Sequence, residues 1–248
     1  VVGVATKSES ESDIDLESKR ARLRVLARHA GSFAERIHAR EMLFALGVGA
    51  DPWSEPELFA ELDRCAASGV HAALADAGRA LLTMEHLETL AAWLPRLAPQ
   101  STEDREAISI VHGLLCMREG RNEDAVSLVS GLPHAEAVAL HGLALLQLRQ
   151  PAQAAARFEV LLAADALEES GELSPTYLPE STPVLELFLI ACTTAATELL
   201  RKQRREDAGR YVLAARDALQ RYRHASELDE ELIGDVRRLL AECAGTST

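Results

Sequence analysis

The sequence predicts an all-α protein made of stacked antiparallel helix hairpins, and three observations carry that prediction. Hydrophobic residues make up 48% of the 248 positions but aromatics only 4%, with Ala and Leu dominating. This is the composition of helices packed closely side by side. No stretch shows the sustained two-residue alternation of a strand. Two segments also repeat one another: "HGLLCMREGRNEDAVSLV" begins at His112 and "HGLALLQLRQPAQAAARF" begins at His141, 29 residues later.

Taken in order, residues 1–17 read as a disordered acidic leader, because Ser, Glu and Asp leave almost nothing apolar to bury. "SKRARLRVLARHA" (18–30) reads as a helix with Leu23, Leu26 and Ala27 on one face, ended by Gly31. Ser32 caps the next helix, with Glu35 three residues later completing a capping box. That helix runs to about Leu46. After the turn "GVGADPWSEPE", Ser54 and Glu57 open a helix through Ala67. Hairpins follow over about 69–97, 103–131 and 135–164. A Pro-containing acidic loop spans 165–182, long enough to be either functional or disordered. Within it, Tyr177 and Leu178 read as disordered, with a docking segment as the alternative. Thr182-Pro183 starts a long helix to about Lys202, since Pro suits a first turn. Helices over about 205–224 and 227–243 complete the chain. The domain organisation expected is therefore a leader at 1–17, N-terminal helices at 18–67, and a helical-repeat solenoid at 68–248 carrying the 165–182 loop.

The repeat has internal logic. Aligned on Gly113 and Gly142, Ala125 coincides with Ala154 twelve residues on, and Val129 with Phe158 four further. Small residues let two antiparallel helices approach, and the bulky residue one turn later fills the space beside them. Ala196, Ala208 and Val212 form a degenerate copy, and Ala75, Leu87 and Ala91 a fourth. This pattern resembles the tetratricopeptide repeat, with a shorter period, aliphatic residues at the aromatic positions and no closing proline. Units of this kind stack because none can bury its apolar face alone. Equivalent positions on stacked hairpins lie about 10 Å apart. His112 and His141 therefore read as packing residues, too far apart to share a zinc ion whose ligand nitrogens sit at about 2 Å.

A second likeness is more specific. "L-x-x-L-A-A-W-L-P" at 87–95 and "E-G-R-N-E-D-A" at 119–125 lie within a stretch, roughly 70–165, that resembles the helical-repeat region of the large LuxR-type regulators of the maltose-activator class. The resemblance implies a bacterial transcriptional regulator whose solenoid receives an inducer or a protein signal. It also implies a nucleotide-binding switch module and a DNA-binding helix-turn-helix elsewhere in a parent chain. Neither is recognisable in this sequence, and Val1 in place of Met suits a segment of a longer protein.

The remaining features narrow the function classes. A net charge of −13 argues against wholesale nucleic-acid binding, which needs a basic footprint. The basic runs at 18–30 and at "RKQRRED" (201–207) read as solvated helix faces. No apolar run reaches the roughly 18 residues of a membrane span, and no secretory signal opens the chain, so a cytoplasmic location is expected. Cys65, Cys116, Cys192 and Cys243 are widely spaced, without metal or redox pairing, and read as reduced thiols. There is no phosphate loop, G-x-S-x-G elbow or H-E-x-x-H, so no enzymatic activity, metal or cofactor is expected. On the tetratricopeptide register the concave groove is lined by Ile110, Leu114 and Met117, then Ala139, Leu143 and Leu146. An apolar groove of this kind suits an amphipathic partner helix. A small inducer held between the N-terminal helices and the solenoid is the alternative.

Overall fold

A computed structural model describes residues 6–48, 55–164, 167, 171–222 and 228–245. Among them the chain is all-α, with no β-strand and a single isolated bridge pair, Leu173 with Thr182. It divides into two compact units, Val1–Gln100 and Ser101–Thr248.

In the first unit, α1 (Thr6–His29) and α2 (Phe33–Ala45) form a hairpin closed by Ala27, Ala39 and Leu43, with Leu23 and Leu26 packed against them. The helix reaches back to Thr6, into the segment expected to be a disordered leader; residues 1–5 lie outside the described residues. "TKSESESDIDLESK" holds neither Gly nor Pro to break a helix. The Ser32 cap is half of what the capping box promises. Ser32 Oγ accepts from the Glu35 N–H at 3.2 Å, but the reciprocal bond from Glu35 is not made. A distant carboxylate serves instead: Asp76 Oδ2 accepts from the Phe33 N–H at 2.7 Å.

Helix α3 (Glu55–Ala66) follows; its expected cap, Ser54, lies outside the described residues. It packs on α4 (Val70–Ala73) and on a π-helical turn at Leu74–Gly78 that carries Asp76 and continues into α5 (Arg79–Thr83). Arg36 of α2 pairs with Glu61 of α3 at 2.7 Å and also donates to the Ala30 carbonyl. These ties bind 33–36, 61 and 76 into one body. All of them lie within the first unit, Val1–Gln100. α6 (Leu87–Trp93) and a 3₁₀ turn (Leu94–Arg96) end the unit around buried Leu90 and Trp93.

The second unit opens with a capping box: Ser101 Oγ accepts from the Asp104 N–H, and Asp104 accepts from the Ser101 N–H. Three hairpins then follow: α7 (Thr102–Arg118) with α8 (Asn122–Val129), α9 (Ala135–Gln147) with α10 (Pro151–Ala163), and α11 (Val184–Arg201) with α12 (Arg205–Arg221). α13 (Glu230–Cys243) closes the stack. Each helix packs on the next, and first helices also touch across hairpins: α7 with α9, α9 with α11, α11 with α13. This is the neighbour pattern of a helical solenoid.

One register underlies the hairpins. A Cβ added to Gly142 would lie 2.6 Å from two ring atoms of Phe158, and one added to Gly113 would lie 2.9 Å from Val129 Cγ1. The small residue is therefore the seat of the bulky residue sixteen positions on, as the repeat requires. Ala125, Ala154 and Ala208 are fully buried, as are Val129, Phe158 and Val212 to within 1%. Seven residues after the small position the chain turns through a left-handed residue: Gly120 (φ 77°), Arg149 (φ 56°) and Gln203 (φ 59°). Each turn closes with the same six-to-one bond, Arg121 N–H to Cys116 O, Gln150 N–H to Leu145 O and Arg204 N–H to Leu199 O.

The first unit repeats the burial spacing and the turn, three residues later than expected. Ala75, Leu87 and Ala91 are only half-buried, whereas Gly78, Leu90 and Leu94 are buried. Seven residues after Gly78 comes Glu85 at φ 59°, and the His86 N–H bonds the Leu81 carbonyl. Gly78, Leu90 and Leu94 keep the spacing, but a Cβ added to Gly78 would meet Leu74 at 3.1 Å and not Leu94.

The loop between the second and third hairpins is folded where it is described. Leu173 and Thr182 exchange two backbone bonds at 2.9 and 3.0 Å, and the Leu185 N–H donates to the Gly171 carbonyl. Glu136, in the first turn of α9 and 1% exposed, accepts backbone N–H groups from Thr176 at 2.5 Å, Tyr177 at 3.1 Å and Leu178 at 3.4 Å. Tyr177 and Leu178 are consequently buried, so neither disorder nor a free docking segment describes them.

Candidate functional site

The six residues expected to line a groove separate into two groups. Ile110 and Ala139 have no exposed surface and belong to the core. Leu114 and Met117 on α7, and Leu143 and Leu146 on α9, are half-buried. Both pairs occupy one and four residues after the small position. Applying the same offset to Ala196 adds Leu200 on α11, also half-buried and packed at its base on the core. Three adjacent first helices thus present Met117, Leu146 and Leu200 at one repeat position.

His112 is half-buried and His141 buried. Burial, with the Arg157 charge as the lesser cause, holds the His141 imidazole below its ordinary value. The unfolded chain therefore takes up a proton more readily than the native one. The stability linked to this ring is full above the unfolded value of about 6.5 and is lost as pH falls through the depressed native value. His141→Leu is expected to flatten that acid limb, so that Tm falls less than in the wild type between about pH 7 and pH 5. Parallel limbs in scanning calorimetry would contradict the assignment.

Cys116 and Cys192 are buried and all four thiols are free. Burial raises every one of them, Cys192 to about 12, which leaves little thiolate for nucleophilic chemistry. No group of three or more His, Cys, Asp or Glu side chains is placed to hold a metal among the described residues. No described helix is long and apolar enough to cross a membrane.

A cleft of about 530 Å³ lies within the second unit, between the first turn of α10 and the turn joining α11 to α12. Arg149, Gln150 and Gln153 form one wall; Glu198, Lys202 and Tyr211 face them from α11 and α12. Arg204 and Arg210 also border it, but Asp207 accepts from Arg204 at 2.7 Å and lies 3.9 Å from Arg210. Sequence reasoning treats "RKQRRED" as a solvated face and does not bring Arg149 near it. The two turns meet only because successive hairpins stack in one register, placing Arg149 and Gln203 at equivalent turn positions.

Comparison with protein-family models, with curated proteins and with solved structures finds no match to this chain.

Proposed function

We propose that this chain is a non-enzymatic helical-repeat domain that receives a signal by docking a partner helix, as the sensing portion of a bacterial transcriptional regulator. The observation supporting docking is the row of half-buried apolar side chains on successive first helices: Leu114 and Met117, Leu143 and Leu146, and Leu200. Side chains of this kind at a constant repeat offset match an amphipathic helix that presents apolar anchors turn by turn. The regulatory setting rests on the resemblance of roughly 70–165 to the maltose-activator class, whose nucleotide-binding and DNA-binding modules are expected elsewhere in a parent chain.

Leu114→Glu and Leu143→Glu test the docking reading. Both sites are partly buried, so each variant is expected to fold at a cost of about 1–3 kcal/mol. A partner recovered with the wild type, and mapped to a helix, is expected to be lost from both variants. Folded variants that retain it would refute the docking face. A second reading, a receptor for a small inducer, is favoured by the cleft at Arg149 and Lys202, whose volume falls in the range of small-molecule sites.

A further inference from the structure

We infer that the cleft between α10 and the α11–α12 turn binds a small organic anion carrying a phosphate or carboxylate group. The inference rests on the receptor reading of that cleft and adds the class of ligand. Four cationic side chains border the cavity against two carboxylates, in a protein whose net charge is −13. Asp207 accounts for Arg204 and Arg210, which leaves Arg149 and Lys202. Neither the Arg149 guanidinium nor the Lys202 ammonium has a hydrogen bond or ion pair among the described residues. Glu198 lies one turn before Lys202, the residue that caps α11, yet forms no ion pair with it.

Arg149 and Lys202, exposed cations from two different hairpins, border one cleft. Arginine offers a fork matched to phosphate or carboxylate oxygens, and lysine a compact charge. The first turn of α10, a helix of 13 residues, forms the adjoining wall and adds the positive end of its dipole. Gln150, Gln153 and the Tyr211 phenol supply neutral donors and acceptors suited to hydroxyl groups. A volume of about 530 Å³ is larger than a bare inorganic ion needs and suits a molecule of sugar-phosphate or hydroxy-acid size.

The test is calorimetric titration of the full chain with ribose 5-phosphate and with citrate, at matched ionic strength, with ribose as the neutral probe. At least one anion is expected to bind saturably, and ribose at least about tenfold more weakly. Arg149→Gln and Lys202→Gln are each expected to weaken anion binding by about tenfold, with added salt acting in the same direction. Arg157→Gln, an exposed cation on α10 outside the cleft, is expected to leave it unchanged. Equal loss in all three variants, or no saturable anion binding, would overturn the inference. Ribose binding that is insensitive to Arg149→Gln and Lys202→Gln would overturn the anion class while keeping the receptor reading. A cleft that takes neither the anions nor any neutral metabolite in a thermal-shift screen fails both.

Discussion

Glu136→Ala is expected to destabilise the second unit by about 4 kcal/mol and to release the loop at 171–182. The carboxylate is buried and accepts three backbone N–H groups from residues forty positions away. Two of those donors, on Tyr177 and Leu178, belong to buried residues that would find no other acceptor. Each stranded donor costs about 1–3 kcal/mol, so two or three of them outweigh any relief from removing a buried charge. Glu136→Gln keeps one acceptor oxygen and is expected to cost about half as much. Amide exchange reads the effect directly, through loss of protection at Tyr177 and Leu178 and their neighbours. Unchanged protection in the alanine variant would mean that the loop is held by its apolar contacts alone.

The second large effect is expected at Gly142. In an exposed helix interior, Gly→Ala gains about 1 kcal/mol from propensity, and Gly209 in α12, with nothing within 4 Å of an added Cβ, should show that gain. At Gly142 the same methyl group would sit 2.6 Å from two atoms of a fully buried aromatic ring. An aromatic ring has no flexible end to move aside, and overpacking of this kind costs about 1–3 kcal/mol. The clash offsets the propensity gain, for a net loss of up to about 2 kcal/mol. Gly113→Ala meets the methyl groups of Val129 and Leu140, which can shift by rotamer, and should cost less. Phe158→Leu in the Gly142→Ala background is expected to recover part of the loss. Additive single and double variants in urea denaturation would refute the contact.

Much of the fold is legible because the determinant is local. Gly113, Ala125 and Val129, like Gly142, Ala154 and Phe158, lie within a span of sixteen residues, and their sizes alone record how closely two helices approach. In the first unit the buried spacing lies three positions after the one read from the sequence, because Ala75, Leu87 and Ala91 are as apolar as Gly78, Leu90 and Leu94 and only packing separates them. Ile110 and Ala139 carry the same apolar character as Leu114 and Leu143, and only packing separates core from surface among them. Order in the loop at 171–182 depends on Glu136, and cohesion within the first unit on ties such as Asp76 to Phe33; both are long-range bonds invisible to periodicity. The cleft is hidden for the same reason. Arg149 and Lys202 are ordinary surface cations until two turns are stacked.

The central claim is that one register, a small residue seating a bulky residue sixteen positions later, builds every hairpin of the second unit. Proton–proton contacts in a labelled sample test it most directly. The account predicts strong cross-peaks from the Gly142 α-protons to the Phe158 ring, with those α-protons shifted by the ring current. It also predicts cross-peaks from the Gly113 α-protons to a Val129 methyl and from the Ala196 methyl to a Val212 methyl. A Phe158 ring in contact with other protons, and silent toward Gly142, would contradict the stacked-hairpin register and the docking face derived from it.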